Sequence, residues 1–581
     1  MKTEFRRKTK DTSIFLAGLV IFTGINILLA TRLELHFDEA YYWLFSQYPS
    51  FGYFDHPPLI AWLILAGQFF LKNEIGIRLL VITLSSFSMI ILWKMIKRYS
   101  TDALLFWSLI YSVVLILPYC FIATPDAPLL FFSILFFFLY SRYLQKSNLQ
   151  SIILLAFAIA LMIYSKYHAF LLLGFVVISN IKQLKKFSFW WVAIFTILYL
   201  LPHFFWQIDN DFPTIRFQLI DGHNKEFHFS VILKYIFSEL AVTGPFLGWF
   251  YLFAMTSVKT DNDWEKGLKF SGIGIFAFFL ISTIIKGDFE AHWTLVAIAP
   301  MIILSTKYII QNPKWKKWVY IAGATNFVIV LALLVVLQTP FSHKLSFLNR
   351  LSGNQTEAEI IKNFTGNSQV IFQDEWKKAS LYGFYNQDKN VVNLNSGLYR
   401  RNQYDILGHD EMLEGENVAI LTTDSLQFKD GTRIVTNKSV WYGKKTDNFR
   451  CYYNLNFNLI KHDISNNRFT ATARIINPYD DTLRIGENFK LTSSFRLYAR
   501  GGGKWNVLGE LPINNLKISP HGEADIDLDF PVTNEIKNLK ELFFTLKVGE
   551  LLPIPAHYEI NMRKGTFKKF NDKQLSKYSG I

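Results

Sequence analysis

The sequence predicts a polytopic α-helical membrane protein that ends in a water-exposed region of α/β and β-sandwich character. Three observations lead there. Hydrophobic residues make up 51% of the 581-residue chain and charged ones only 18%, against roughly 25% charged in an ordinary soluble domain. Apolar runs crowd the first 340 residues. Beyond them the pattern turns to short alternating segments separated by turn residues.

The apolar runs fall at 13–31, 76–97, 102–121, 127–144, 150–165, 167–181, 188–206, 231–257, 268–285, 292–309 and 318–338. About twenty residues of helix cross a bilayer, so these read as about eleven spans. The stretch from Pro57 to Leu71 is shorter, opens on two prolines beside Asp55 and His56, and reads as interfacial. Alternating sides from a cytoplasmic N-terminus puts about twenty Lys and Arg on the inner connections, among them Lys97, Arg98, Arg142, Lys146, Lys182, Lys185, Lys186, Lys307 and Lys316, and about seven on the outer ones. That asymmetry accounts for the net charge of +14. A nucleic-acid binder would gather its cations into one face interleaved with aromatics, so nucleic acid is not an expected partner. The two cysteines, Cys120 and Cys451, form no disulfide framework or metal motif.

An odd number of spans leaves the tail outside. Residues 341–450 mix a helical opening with buried-strand runs such as Gln369–Phe372 and Val418–Leu421, which predicts a small α/β unit. Residues 451–581 alternate, as in 469–476 and 524–530, between Asn-Pro, Gly-Gly-Gly and Ser-Pro-His-Gly breaks. That pattern predicts a β-sandwich. The expected units are therefore 1–340, 341–450 and 451–581.

On this topology nearly every unusual polar residue near a membrane boundary falls on the outer side. The first outer loop carries His36, Asp38, Glu39, Tyr41, Tyr42 and Trp43, then Tyr53, Asp55, His56, Pro57 and Pro58. Thr124-Pro125-Asp126 follows, then Lys166 with His168, Trp206 to Asn210 leading to Arg216, and Asp288, Glu290, His292 and Trp293. Each has a bland reading. Asp38 and Glu39 suit the N-terminus of an interfacial helix, Asp126 a helix cap, Lys166 a side chain reaching for headgroups, and His292 and Trp293 the aromatic belt. Taken together they are harder to dismiss, because carboxylates at membrane depth are costly and usually face a cavity. Carboxylates, cations and an aromatic rim at one boundary suit a substrate with an apolar tail and a charged or sugar head. Lys166, Arg216 and His56 are candidates to neutralise a phosphate.

The run Asp38-Glu39-Ala40-Tyr41-Tyr42-Trp43, followed by Tyr53-Phe54-Asp55-His56-Pro57-Pro58-Leu59-Ile60-Ala61-Trp62, resembles the first outer loop of glycosyltransferase 39 type membrane enzymes of the GT-C fold group. That group includes the lipid A aminoarabinose transferases and the protein O-mannosyltransferases. The resemblance runs from about residue 10 to 310, through Thr124-Pro125-Asp126, Lys166, Trp206-Gln207-Ile208-Asp209-Asn210 and His292-Trp293; Asn402-Gln403-Tyr404-Asp405 in the tail is similar to bacterial members. It implies transfer of a sugar from a polyprenyl-phosphate donor in the membrane to a lipid, glycan or protein acceptor at the outer face of a bacterial cytoplasmic membrane. Asp38 and Glu39 become the catalytic candidates. His56, Lys166, Arg216, His292 and Tyr41 become candidates for donor phosphate and sugar. Asp55 and Asp126 are candidates to hold a divalent cation, Mg²⁺ or Mn²⁺, with phosphate oxygens completing its shell. His56 and Tyr41 depart from the aminoarabinose-transferase pattern, so that donor and the lipid A acceptor are not carried over. The alternative is a transporter, which the missing internal repeats and mid-helix charges disfavour.

Overall fold

A computed structural model of the chain describes residues 2–216, 228–337, 339, 346–408, 411–425, 428, 430–465, 468–486, 492–501, 504–531, 541–554, 556–561 and 566–570. Two compact units emerge, Met1–Ser352 and Gly353–Ile581. Pro340, the expected boundary, lies outside the described residues. Residues after Pro340 nonetheless join the first unit, because Leu348 packs with Leu29 and Leu33, and Leu351 O accepts a bond from Glu34 N at 3.0 Å.

The first unit is helical. Its helices are α1 (Lys2–Arg32), α2 (Phe37–Gln47), α3 (Leu59–Phe70), α4 (Glu74–Ile96), α5 (Ala103–Ser112), α6 (Asp126–Gln145), α7 (Leu149–Ser165), α8 (His168–Ser179), α9 (Phe187–Asp209), α10 (Pro213–Arg216), α11 (Phe229–Thr243), α12 (Gly248–Ser257), α13 (Asp263–Lys286), α14 (Ile298–Gln311) and α15 (Lys316–Val336). Each apolar run of the sequence is helical. Among the described residues, seven helical segments are long and apolar enough to cross a membrane, and two further runs are bent pairs. One bends by 79° between α5 and Val114–Cys120, the other by 89° between α11 and α12. The second bend is set at Gly244, whose φ of 148° excludes most side chains and where a Cβ would lie 2.8 Å from Ser112 O. The stretch after Pro58 forms α3, a short apolar helix.

Polar caps fix where helices start. Asn73, Asp102, Asn148 and Asn262 each accept a first-turn backbone N–H, opening α4, α5, α7 and α13. The facing sides bury one continuous core that includes Phe106, Leu109, Phe137, Ala156, Leu172, Tyr251, Leu268 and Ile303. The outward sides stay apolar, as on α9 with Trp190, Ile197, Leu198, Phe204 and Phe205 exposed, which suits lipid rather than water.

The second unit holds α16 (Asn354–Thr365), α17 (Trp376–Tyr385), α18 (Gln403–Leu407) and β1 (Gln369–Gln373), β2 (Val392–Leu394), β3 (Val418–Thr422), β4 (Thr432–Val435) and β5 (Val440–Thr446) in a sheet of order β2-β1-β3-β5-β4. The first three strands are parallel and the last two antiparallel additions. Then follow β6 (Asn456–Ser465), β7 (Arg468–Ile476), β8 (Leu483–Ile485), β9 (Ser493–Gly501), β10 (Lys504–Pro512), β11 (Leu516–Ile518), β12 (Glu523–Pro531), β13 (Glu541–Val548), β14 (His557–Asn561) and β15 (Thr566–Phe570). Sheets β12-β7-β6 and β10-β9-β13-β14-β15 enclose Phe457, Phe469, Phe495, Phe530 and Phe544 in one core, with a β11-β8 pair alongside. The two expected tail units pack as one, since Cys451, Phe449 and Leu551 share a core with Ile371 and Ile420.

Candidate active site

The polar residues singled out in the sequence converge at one end of the helical unit. The first loop is held in place by aromatic and amide bonds. Tyr53 Oη donates to Phe45 O at 3.0 Å, Thr214 Oγ1 donates to Tyr53 O at 2.8 Å, and Gln207 Nε2 bonds both Thr214 Oγ1 and Tyr167 Oη. His203 links Tyr167 Oη at 2.7 Å to Phe51 O at 2.6 Å. Gly52 lies flat against Trp206, where a Cβ would sit 2.1 Å from the indole, so this approach requires glycine. The motif Trp206 to Asn210 therefore clamps the loop that presents Asp55 and His56.

α6 starts where Pro125 ends the preceding turn, and Asp126 does not cap it: no side-chain cap bond exists there. Both Asp126 oxygens instead accept from Lys166 Nζ at 2.9 Å, and His292 Nε2 stands 3.9 Å from Oδ2. Asp126 is 4% and Lys166 6% exposed, so Lys166 faces a carboxylate rather than headgroups. Asp38, Asp55, Asp126 and Lys166 all lie within electrostatic reach of His56, and Asp38, Asp126 and Lys166 within reach of His292. Tyr119, whose ring lies 5.8 Å from that of His292, also senses Asp38 and Asp126. The four residues on which the sequence reading depends thus share electrostatic reach of one imidazole, His56.

Their roles differ. Asp38 retains 35% side-chain exposure and lies 3.3 Å from His36 Nδ1. It is the member of the set that a water-borne group can reach. Glu39, paired with it in the sequence reading, is corrected to a structural residue. Its carboxylate accepts from Arg78 Nε at 2.8 Å and Nη2 at 2.6 Å, from Ala123 N at 2.9 Å and from His36 N at 3.0 Å, the last closing a capping box on α2. Arg78 in turn donates to Ala30 O, Leu33 O and Glu34 O. Both side chains are wholly buried, leaving Glu39 no lone pair for an acceptor hydroxyl. Tyr41 is tied to another candidate, since its hydroxyl donates to Asp55 Oδ2 at 2.6 Å while its ring packs on Phe45. Arg216 ends α10, half-buried, and forms no ion pair with Asp38, Asp55 or Asp126 among the described residues. Sequence reasoning missed the role of Arg78, although a lone arginine inside an apolar run is itself a signal; Thr124, named there only within its motif, has a buried hydroxyl without a hydrogen-bond partner among the described residues.

His56 was a candidate cation and is corrected to a neutral imidazole. Burial, aided by Lys166 and opposed by Asp55, Asp126 and Asp38, lowers its pKa from 6.5 to about 4. The unfolded chain therefore takes up this proton first on acidification, so His56 costs the fold nothing above pH 6.5 and destabilises it increasingly as pH falls toward 4. His56→Gln is expected to reduce the slope of unfolding temperature against pH in that window; an identical slope in wild type and variant would refute the assignment.

The residues do not fit a resident divalent cation. Among the described residues no group of three or more His, Cys, Asp or Glu is arranged to hold one. Asp126, moreover, already has an ammonium across both oxygens, and Asp55 accepts from Tyr41. Exhaustive chelation is accordingly expected to leave turnover unchanged. Activity lost to chelator and restored by Mg²⁺ or Mn²⁺ would reinstate the cation expected from the sequence.

Comparison with known proteins gives this arrangement its class. Residues 55–206 match the family model described as dolichyl-phosphate-mannose-protein mannosyltransferase, a stretch that contains Asp55, His56, Asp126 and Lys166 and ends at Trp206. The match and the overall architecture place the helical unit in the GT-C fold, which favours a membrane glycosyltransferase over a transporter. Among relatives, the lipid A galacturonosyltransferase RgtD of Rhizobium johnstonii is 24% identical, over 61% of this chain and 76% of that protein. The crystal structure of apo ArnT from Cupriavidus metallidurans superimposes with a TM-score of 0.55 at 12% identity, covering 75% of this chain and 98% of that one. The same protein bound to undecaprenyl phosphate gives 0.52 at 12% identity, covering 74% and 97%.

Proposed function

We propose that this glycosyltransferase moves a sugar from a polyprenyl-phosphate donor to an acceptor hydroxyl at the extracytoplasmic face of a bacterial cytoplasmic membrane. One observation carries the reading: the part-exposed carboxylate of Asp38 and the buried Asp126–Lys166 pair lie within electrostatic reach of the same part-exposed imidazole, His292. Asp38 accepts the proton of the acceptor hydroxyl as its oxygen bonds to the anomeric carbon. The bond from that carbon to the donor phosphate breaks, and polyprenyl phosphate leaves with the electron pair. Lys166 and His292 stabilise the phosphate charge that develops, in a site poor in water. Asp126 orients Lys166, and neutral His56 offers a hydrogen bond rather than a charge.

The bound undecaprenyl phosphate of the ArnT structure supports this class of carrier. The positive-inside count supports an outer site with the N-terminus in the cytoplasm, and the second unit would then act outside, presenting the lipid, glycan or protein acceptor. Lys166→Met alone strands Asp126 as a buried charge, so the informative variant is Asp126→Asn/Lys166→Met. It is expected to fold, and to bind decaprenyl phosphate at least ~10-fold more weakly, consistent with loss of about one charge-assisted contact. Undiminished binding in the folded double variant would sink the phosphate role.

A further inference from the structure

At the end of the helical unit opposite the candidate site, α6, α7, α8 and α9 splay around a shallow crevice of about 60 Å³. Its wall is apolar and aromatic, from Phe136, Tyr140, Leu155, Leu173, Val176 and Val192. The polar end is formed by Asn180 and Gln183 in the α8–α9 connection. Asn180 Nδ2 is used by Tyr140 Oη and Asp263 O. Gln183, 6% exposed, has its Oε1 buried without a hydrogen-bond partner. An unmet acceptor in a low-dielectric site costs on the order of 1–3 kcal/mol, so a ligand that brings a donor there has something to gain.

The rim of the crevice is cationic. Arg142 and Lys146 close α6, and Lys182, Lys185 and Lys186 surround Gln183; all five are exposed. None forms an ion pair with a carboxylate among the described residues. Beside them Ile181, Leu184, Phe187, Trp190 and Trp191 are exposed, which sets this rim at the level where aliphatic chains meet headgroups. An apolar slot between membrane helices, capped by uncompensated cations, is complementary to a molecule with an acyl tail and an anionic head.

We infer that this crevice and its rim bind an anionic glycerophospholipid, with the phosphodiester held by Arg142, Lys146, Lys182, Lys185 and Lys186 and only the first methylenes of an acyl chain entering between Phe136, Leu155, Leu173 and Val192. A glycerol headgroup also supplies the hydroxyl donor that Gln183 Oε1 lacks. The site does not depend on the proposed transfer reaction. It shares α6, α7 and α8 with that reaction's machinery, since Asp126, Lys166 and His168 stand at the other ends of the same helices.

The test uses the full chain, purified in detergent and stripped of lipid, titrated with phosphatidylglycerol or phosphatidylcholine and read by native mass spectrometry. Phosphatidylglycerol is expected to be retained at least ~10-fold more tightly, the equivalent of about 1.4 kcal/mol. Lys182→Gln/Lys185→Gln/Lys186→Gln, on exposed positions that should not disturb folding, is expected to abolish that preference. Val176→Trp, which fills the slot and leaves the charges, is expected to weaken both lipids. Equal retention of the two lipids by wild type, or an unaltered preference in the triple variant, overturns the proposal. Displacement of bound phosphatidylglycerol by equimolar decaprenyl phosphate also overturns it, by assigning the crevice to the carrier's tail.

Discussion

Asp38→Asn is expected to lower sugar transfer by ~10²–10⁴-fold, the usual contribution of a positioned general base, while protein yield and unfolding temperature stay near wild type. Asn matches Asp in shape and keeps a first-turn acceptor, so α2 should form as before. What it loses is the ability to take a proton. The neighbouring carboxylates cannot substitute: Asp126 is occupied by Lys166, Asp55 by Tyr41, and Glu39 by Arg78. The measurement is mass spectrometry of glycolipids and glycoproteins from cells carrying wild type or variant, which also reports the sugar and acceptor. If Asp38 merely complemented the helix N-terminus, the substitution would cost about 0.3–1 kcal/mol of stability and leave the product level intact. An intact product level is therefore the outcome that removes Asp38 from the mechanism.

Arg78→Met is expected to be the most damaging single substitution for folding. It leaves the Glu39 carboxylate in the core with its charge uncompensated, a change that costs about 3–5 kcal/mol in buried pairs. It also removes the donors to Ala30 O, Leu33 O and Glu34 O, which join the end of α1 to α2 and α4. The variant should fail to elute as a single species from detergent-solubilised membranes. Glu39→Met/Arg78→Met should recover part of the loss, since no charge is then buried, though not all of it, because those carbonyls and Ala123 N still lack partners. The double variant also separates two roles for Glu39. If it folds and transfers sugar, Glu39 is a staple; if it folds, binds carrier and is inactive, Glu39 takes part in the reaction after all.

The membrane class and the helical runs are written in the linear chain, because hydropathy and the cost of placing charge in lipid act on each segment separately. A run such as 127–144 can only be buried or lipid-facing, whatever surrounds it. The same holds for the β-rich tail, whose period-two alternation at 469–476 becomes the β7 face that carries Phe469, Ala471 and Ala473 into the core. The bends at Gly244 and after Ser112 were not legible, since a broken span and a straight one have the same mean hydropathy.

Division of labour within the site was decided only in three dimensions. Asp38 and Glu39 are adjacent acids on one helix turn, chemically near-identical in sequence. Successive residues on a helix point about 100° apart, so Asp38 stays part-exposed while Glu39 faces α4, where Arg78 waits thirty-nine positions away. In the same manner Asp126 acquired Lys166, Asp55 acquired Tyr41, and His56 became neutral, each through a partner or a burial that no local pattern encodes. Sequence determined which residues are too polar for their surroundings; packing determined which of them are buried against partners and which keep the exposure that lets a substrate approach.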